Sequence, residues 1–110
     1  MNKRRRKEIR AVVEKLNCIM DNIKSGCQID MDMLGDIICD LDCIFCDEEY
    51  YRDNIPENLQ ESIRYYAADE ACDNIEEAID GLNYIAEDDS MEYIIQTISE
   101  SITCLQDAIR

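Results

Sequence analysis

An all-α protein, arranged as a four-helix bundle or as two helical hairpins around one core, is what this sequence predicts, and three observations carry that prediction. Four stretches repeat apolar residues at three- and four-residue steps, the spacing that lays one apolar stripe along a helix. Three breaks separate them, at Ser25-Gly26, Asn54-Ile55-Pro56 and Asp88-Asp89-Ser90. Three Gly and one Pro in 110 residues leave too little turn chemistry for a sandwich of short strands.

Ile9, Val12, Val13, Leu16, Ile19, Met20 and Ile23 predict a first helix over residues 3–24. Gly26 suits the left-handed C-terminal cap, and Lys24 suits the negative end of the helix dipole. Leu34, Ile37, Ile38, Leu41, Ile44 and Phe45 predict a second helix over 32–52, with Asp30 or Asp32 as its N-cap. Proline disfavours helix in the residue before it and is tolerated in the first turn of the next one, so Pro56 predicts a third helix over 57–87 capped by Asn54. Its stripe is Ile63, Ala67, Ala71, Ile75, Ala78, Ile79, Leu82 and Ile85. Met91, Ile94, Ile95, Ile98, Ile102, Leu105 and Ile109 predict a fourth helix over 90–109, with Asp89 and Glu92 spaced as a capping box. The whole chain, 1–110, forms a single domain.

The second break carries most of the aromatic residues. Tyr50 and Tyr51 precede it and Tyr65 and Tyr66 follow it. Rings flanking a turn pack across it with their hydroxyls left wet, so this stretch is expected to be the corner between helices two and three.

Charge separates along the chain. The net charge is −15, yet the first ten residues hold six Lys/Arg and one Glu, so the remaining hundred carry −20. From Tyr65 to Ile109 there are twelve Asp/Glu and no Lys or Arg. Such a field repels nucleic acid and membrane surfaces and attracts basic partners. No apolar run approaches the roughly 18 residues of a membrane span. Charges interrupt any would-be secretion core after MNKRRRKEIR, so a reducing, cytoplasmic location and free thiols are expected for the seven cysteines.

Catalytic chemistry has little to stand on. Cys39, Cys43 and Cys46 place three thiols within two turns of helix two, beside its apolar stripe. A zinc site would need Cys72 and Cys104 to converge on them, because the chain has no His. Thiols at helix seams, packing as small hydrophobes, are the expected arrangement. With 26 Asp/Glu, carboxylate pairs at any given spacing arise by chance. No phosphate loop, nucleophile elbow or Cys–His pair is present, so neither enzyme activity nor a metal or other cofactor is expected. The basic tip KRRRK at residues 3–7 sits where a helix dipole is positive, and a compensating anion is expected there. A nucleic acid or an acidic helix of the same or a second chain would serve.

Met1-Asn2-Lys3-Arg4-Arg5, the block Asp47-Glu48-Glu49-Tyr50-Tyr51-Arg52-Asp53-Asn54-Ile55-Pro56-Glu57-Asn58-Leu59-Gln60 and the block Asp73-Asn74-Ile75-Glu76-Glu77-Ala78-Ile79-Asp80 together resemble small acidic helical proteins of phages and prophages of Gram-positive bacteria. The resemblance covers about a third of the chain. It implies a phage origin and a bacterial host cytoplasm. As a class, it also implies an interaction protein that inhibits a host defence protein by occupying its nucleic-acid-binding surface, in the manner of an anti-CRISPR inhibitor. Carboxylates along a rigid helix can imitate phosphates, and a basic partner releases counterions on binding them. The expected contact residues are Asp69, Glu70, Asp73, Glu76, Glu77 and Asp80, with Arg4, Arg5 and Arg6 as the opposite pole. Two alternatives stand beside this one: a self-associating structural or regulatory protein, in which the basic first turn of one copy pairs with acidic helices of another, and a direct nucleic-acid binder acting through residues 3–10.

Overall fold

A computed structural model of the protein describes residues 1–59 and 62–110. Among them lie four α-helices, α1 Lys3–Lys24, α2 Met31–Asp53, α3 Ile63–Asn83 and α4 Met91–Ala108, with one 3-10 turn at Glu57–Leu59. The protein is an all-α bundle. Each helix opens on a side chain that satisfies a free backbone N–H of its first turn: Asn2 accepts from Arg5, Asp30 from Met33, Ser62 from Tyr65 and Ser90 from Tyr93. α1 closes as its sequence predicts. Gly26 adopts φ 98°, where a side chain would be strained, and the N–H groups of Gly26 and Cys27 donate to the carbonyls of Ile23 and Asn22.

Ion pairs fix the direction of the helices. Arg5 meets Glu48 and Lys15 meets Asp40, so numbers fall along α2 as they rise along α1, and the two run antiparallel. α2 turns back into α3 with Arg52 on Asp69, and α3 turns back into α4 with Gly81 against Ser101 and Thr97. α1 closes the ring on α4, where the Ser99 hydroxyl donates to the Met20 sulfur at 3.4 Å. The helices pack around the ring in sequence order, and α1 and α3 stand on opposite sides of α2. Ile9, Leu16, Ile37, Leu41, Ile75, Ile98 and Leu105 fill the centre with no exposed surface. Each such side chain contributes about 1.5–3 kcal/mol by leaving water.

The helices are staggered. Each is about 30 Å long at 1.5 Å per residue, yet the molecule extends 53 Å. Arg52 lies opposite Asp69, so the first turn of α3 continues beyond the end of α2. α4 ends beside Ala67 and Ala71 and gives that turn no cover.

This overhang corrects several expectations. The third helix is shorter than 57–87: a 3-10 turn takes its first residues, α3 starts at Ile63 and stops at Asn83, and residues 60 and 61 lie outside the described residues. Asn54 caps the end of α2 and not the start of α3, its side-chain NH2 donating to the Tyr50 carbonyl at 2.7 Å. Ile63 is 89% exposed and Ala67 is exposed, because the stripe they extend runs past the core. Met91, at the first turn of α4, is also exposed. Asp89 does not form a capping box; its carboxylate accepts from the Ala86 N–H at 2.7 Å and closes the turn before α4. At the corner, Tyr51 and Tyr65 are half-buried, while Tyr50 and Tyr66 are exposed, the Tyr66 ring meeting Tyr65 edge-on with centroids 6.1 Å apart. Cys39, Cys43 and Cys46 are also exposed on the outer side of α2, with Cys43 at the rim of the α1–α2 groove beside Ala11 and Lys15, and not packed inside a seam.

Candidate functional site

At 100° per residue, Asp69, Glu70, Asp73, Glu76, Glu77 and Asp80 fall within about 120° of the circumference of α3. The structure brings them onto one face. Five are exposed. Asp69 is half-buried, because the Arg52 guanidinium donates to it at 2.8 Å across the α2–α3 seam. From Glu70 to Asp80 the five exposed carboxylates span about 15 Å of helix axis, one charge every ~3–4 Å. The phosphates of one strand of duplex DNA recur every ~3.4 Å of axis. Glu100 and Cys104 of α4 border the same face beyond Glu77 and Asp80.

The three arginines of the basic tip separate. Arg5 is buried, and its Nε donates to Glu48 Oε2 at 2.7 Å while its guanidinium lies 5.6 Å from the centre of the Tyr51 ring. Glu48 is itself fully buried, with the Met1 ammonium 3.7 Å from its second oxygen. Arg4 stays exposed and reaches Glu8 and Asp47 at 3.6 and 3.7 Å. Arg6 is half-buried, its Nε without a hydrogen-bond partner among the described residues. Beside this tip an open cleft of about 840 Å³ runs between Arg4, Tyr50, Tyr51, Ile55, Leu59 and Arg64. The acidic face on α3 and Arg4 on α1 lie to either side of α2.

Between α2 and α3 the buried Cys72 sits near Arg52. Burial pushes the Cys72 thiol up to about 11; the Arg52 guanidinium works against that, and the carboxylates of Glu48, Glu49 and Asp69 add to it. Burial also raises the Cys104 thiol above its ordinary value, with Glu77 as the next contributor. Neither thiol is a thiolate nucleophile near neutral pH. No group of three or more Cys, Asp or Glu with metal-binding geometry occurs among the described residues.

Glu48, Arg52 and Tyr51 order this end of the molecule, and composition alone does not single them out. Position does: Glu48 continues the stripe Leu41, Ile44 by four residues, and Arg5 precedes Ile9 by four. A charge of each sign on two facing core stripes signals a buried pair.

No family model matches the chain, and no curated protein and no solved structure matches it either.

Proposed function

We propose that this is a phage-encoded interaction protein that acts by contact and not by catalysis, presenting the outer face of α3 to the basic, nucleic-acid-binding surface of a host defence protein in the manner of an anti-CRISPR inhibitor. The carrying observation is the run of exposed carboxylates from Glu70 to Asp80 at phosphate-like spacing on a rigid helix, in a hairpin without a single Lys or Arg between Tyr65 and Ile109. The phage setting comes from the resemblance of the corner and α3 blocks. A rigid acidic face suits this role because its charges are already placed, so little ordering is needed on binding. Steering by such a face speeds encounter with a basic surface and weakens as salt rises. Arg5, held inside on Glu48, is a poor contact for nucleic acid, which places direct binding through residues 3–10 behind this reading.

The test is retention of proteins from a Gram-positive bacterial lysate on the immobilised chain, beside a variant with Asp73, Glu76, Glu77 and Asp80 changed to Lys. Expected is a nucleic-acid-binding protein held by the native chain, displaced by duplex DNA and absent from the variant. Retention that survives the four reversals, or that DNA does not displace, refutes mimicry.

A further inference from the structure

Asp36, Cys39, Cys43, Cys46, Tyr50 and Asp53 alternate three- and four-residue steps along the outer face of α2, and all six are exposed. This is the spacing of a two-helix seam. Its centre, Cys39 to Tyr50, is apolar, with Tyr50 73% exposed, and α2 is the least one-sided of the four helices in its hydropathy. An apolar stripe on the outer face, away from the core stripe, offers a second helix a surface to cover. The three thiols do not pair with each other in place: neighbours on a helix face hold their Cβ atoms about 5–6 Å apart, and a disulfide needs ~3.5–4.5 Å.

Charge on the two flanks selects the occupant. On the α1 side of the seam, Arg4 reaches Asp47 of α2, and Lys7 lies three residues on along the same side. On the α3 side, Asp69 reaches Arg52 of α2, and Asp73, Glu76 and Asp80 continue that side at helical spacing. Counting along α2 from Arg52 to Asp47 brings Arg4 about level with Asp73. We propose that a second copy of this chain docks on the outer face of α2, the two α2 helices running parallel about a twofold axis along them. That axis keeps heights and exchanges flanks, so Arg4 and Lys7 of each copy face Asp73 and Glu76 of the other, and a basic partner on the α3 face competes with this contact. An antiparallel pairing would set the carboxylate rows of the two α3 helices against each other along their length, whereas the parallel one opposes like carboxylates only at the ends of the stripe, at Asp36 and Asp53. The apolar centre is only about 16 Å long, so the flanking ion pairs carry much of the association and make it salt-sensitive.

The full chain is measured alone and reduced, so the result is independent of any host partner. Sedimentation equilibrium is expected to show a monomer–dimer equilibrium whose dissociation constant rises about tenfold or more from roughly 50 mM to 0.5 M salt. Asp73→Lys with Glu76→Lys weakens the dimer, and adding Arg4→Glu and Lys7→Glu to the same chain restores it. Orientation is read with a short bismaleimide on two variants that keep either Cys39 or Cys46 as the sole exposed thiol, mixed in equal amounts. Bridges form between like positions in the parallel dimer. A chain monomeric at every concentration, charge swaps without rescue, or predominant Cys39-to-Cys46 bridges would overturn the proposal.

Discussion

Removing one partner of the Arg5–Glu48 pair tests how the two ends of α1 and α2 are held together. The pair is buried on both sides, at 7% exposure for Arg5 and none for Glu48, and is joined by one hydrogen bond of 2.7 Å. Changing Glu48 to Leu leaves a guanidinium under the Tyr51 ring with no counter-charge at hydrogen-bonding distance. Stranding a buried charge costs about 3–5 kcal/mol, and for a chain of this size that lowers the melting temperature by roughly 10–25 °C. Arg5→Met should cost less than Glu48→Leu, since Glu48 then loses its hydrogen bond but keeps the Met1 ammonium 3.7 Å from Oε1. The double change Arg5→Met with Glu48→Leu should be less destabilising than the sum of the singles, because two apolar side chains of similar volume need no partner and only the Met1 ammonium loses its carboxylate. Urea unfolding followed by circular dichroism at 222 nm gives all three free energies, and the double-mutant cycle gives the coupling. If the double variant is as unstable as the sum of the singles, the two groups do not stabilise each other and the buried-pair account fails.

Three further outcomes are expected. Stability should fall as pH rises from about 9 to 11: the folded state keeps the Cys72 proton up to about 11, whereas an unfolded thiol loses it near ~8.5, so the stabilisation present at lower pH is lost across that window, and the raised Cys104 thiol adds to the decline; Cys72→Ala should make the decline shallower in a pH series of unfolding curves, and an unchanged slope would assign it elsewhere. The two helical glycines should behave oppositely, since a Cβ at Gly35 meets nothing within 4 Å while one at Gly81 comes 3.2 Å from the Ser101 hydroxyl; Gly35→Ala should gain about 0.5–1 kcal/mol and Gly81→Leu should lose about 1–3 kcal/mol in chemical denaturation. Tyr51→Ala should lower the melting temperature more than Tyr50→Ala, because Tyr51 is half-buried beneath Arg5 and Tyr50 is 73% exposed.

Periodicity revealed the helices because each buries one stripe against a common centre; Leu41, Ile75 and Ile98 sit where their spacing puts them, with no exposure. Periodicity does not say where a neighbour stops. Ile63 continues the α3 stripe in sequence but lies beyond the end of α4, so only the stagger of the bundle separates it from Ile75. The caps were ambiguous for a related reason: Asn54 has the side chain of an N-cap, but Pro56 and the 3-10 turn behind it leave Asn54 nearer the end of α2. The acidic face of α3 was legible as spacing, whereas the loss of Asp69 to Arg52 depends on how α2 and α3 pack. Cys39, Cys43 and Cys46 lie outside a seam, whereas Cys72 lies buried in one, because a small apolar residue suits a seam and an outer face equally well by hydropathy.

The ring order of the helices also sets a sequence for assembly. α1 with α2, α2 with α3, and α3 with α4 are neighbours in the chain as well as in space, so each hairpin closes a short loop at modest entropic cost. The seam between α1 and α4 differs: Met20 and Ser99 touch across 79 residues. That contact rewards the chain only once the three hairpins are in place. Of these four helices α1 is made before the others and gains its second partner only after α4 has been made, and until then the apolar side of α1 toward α4 stays open to water.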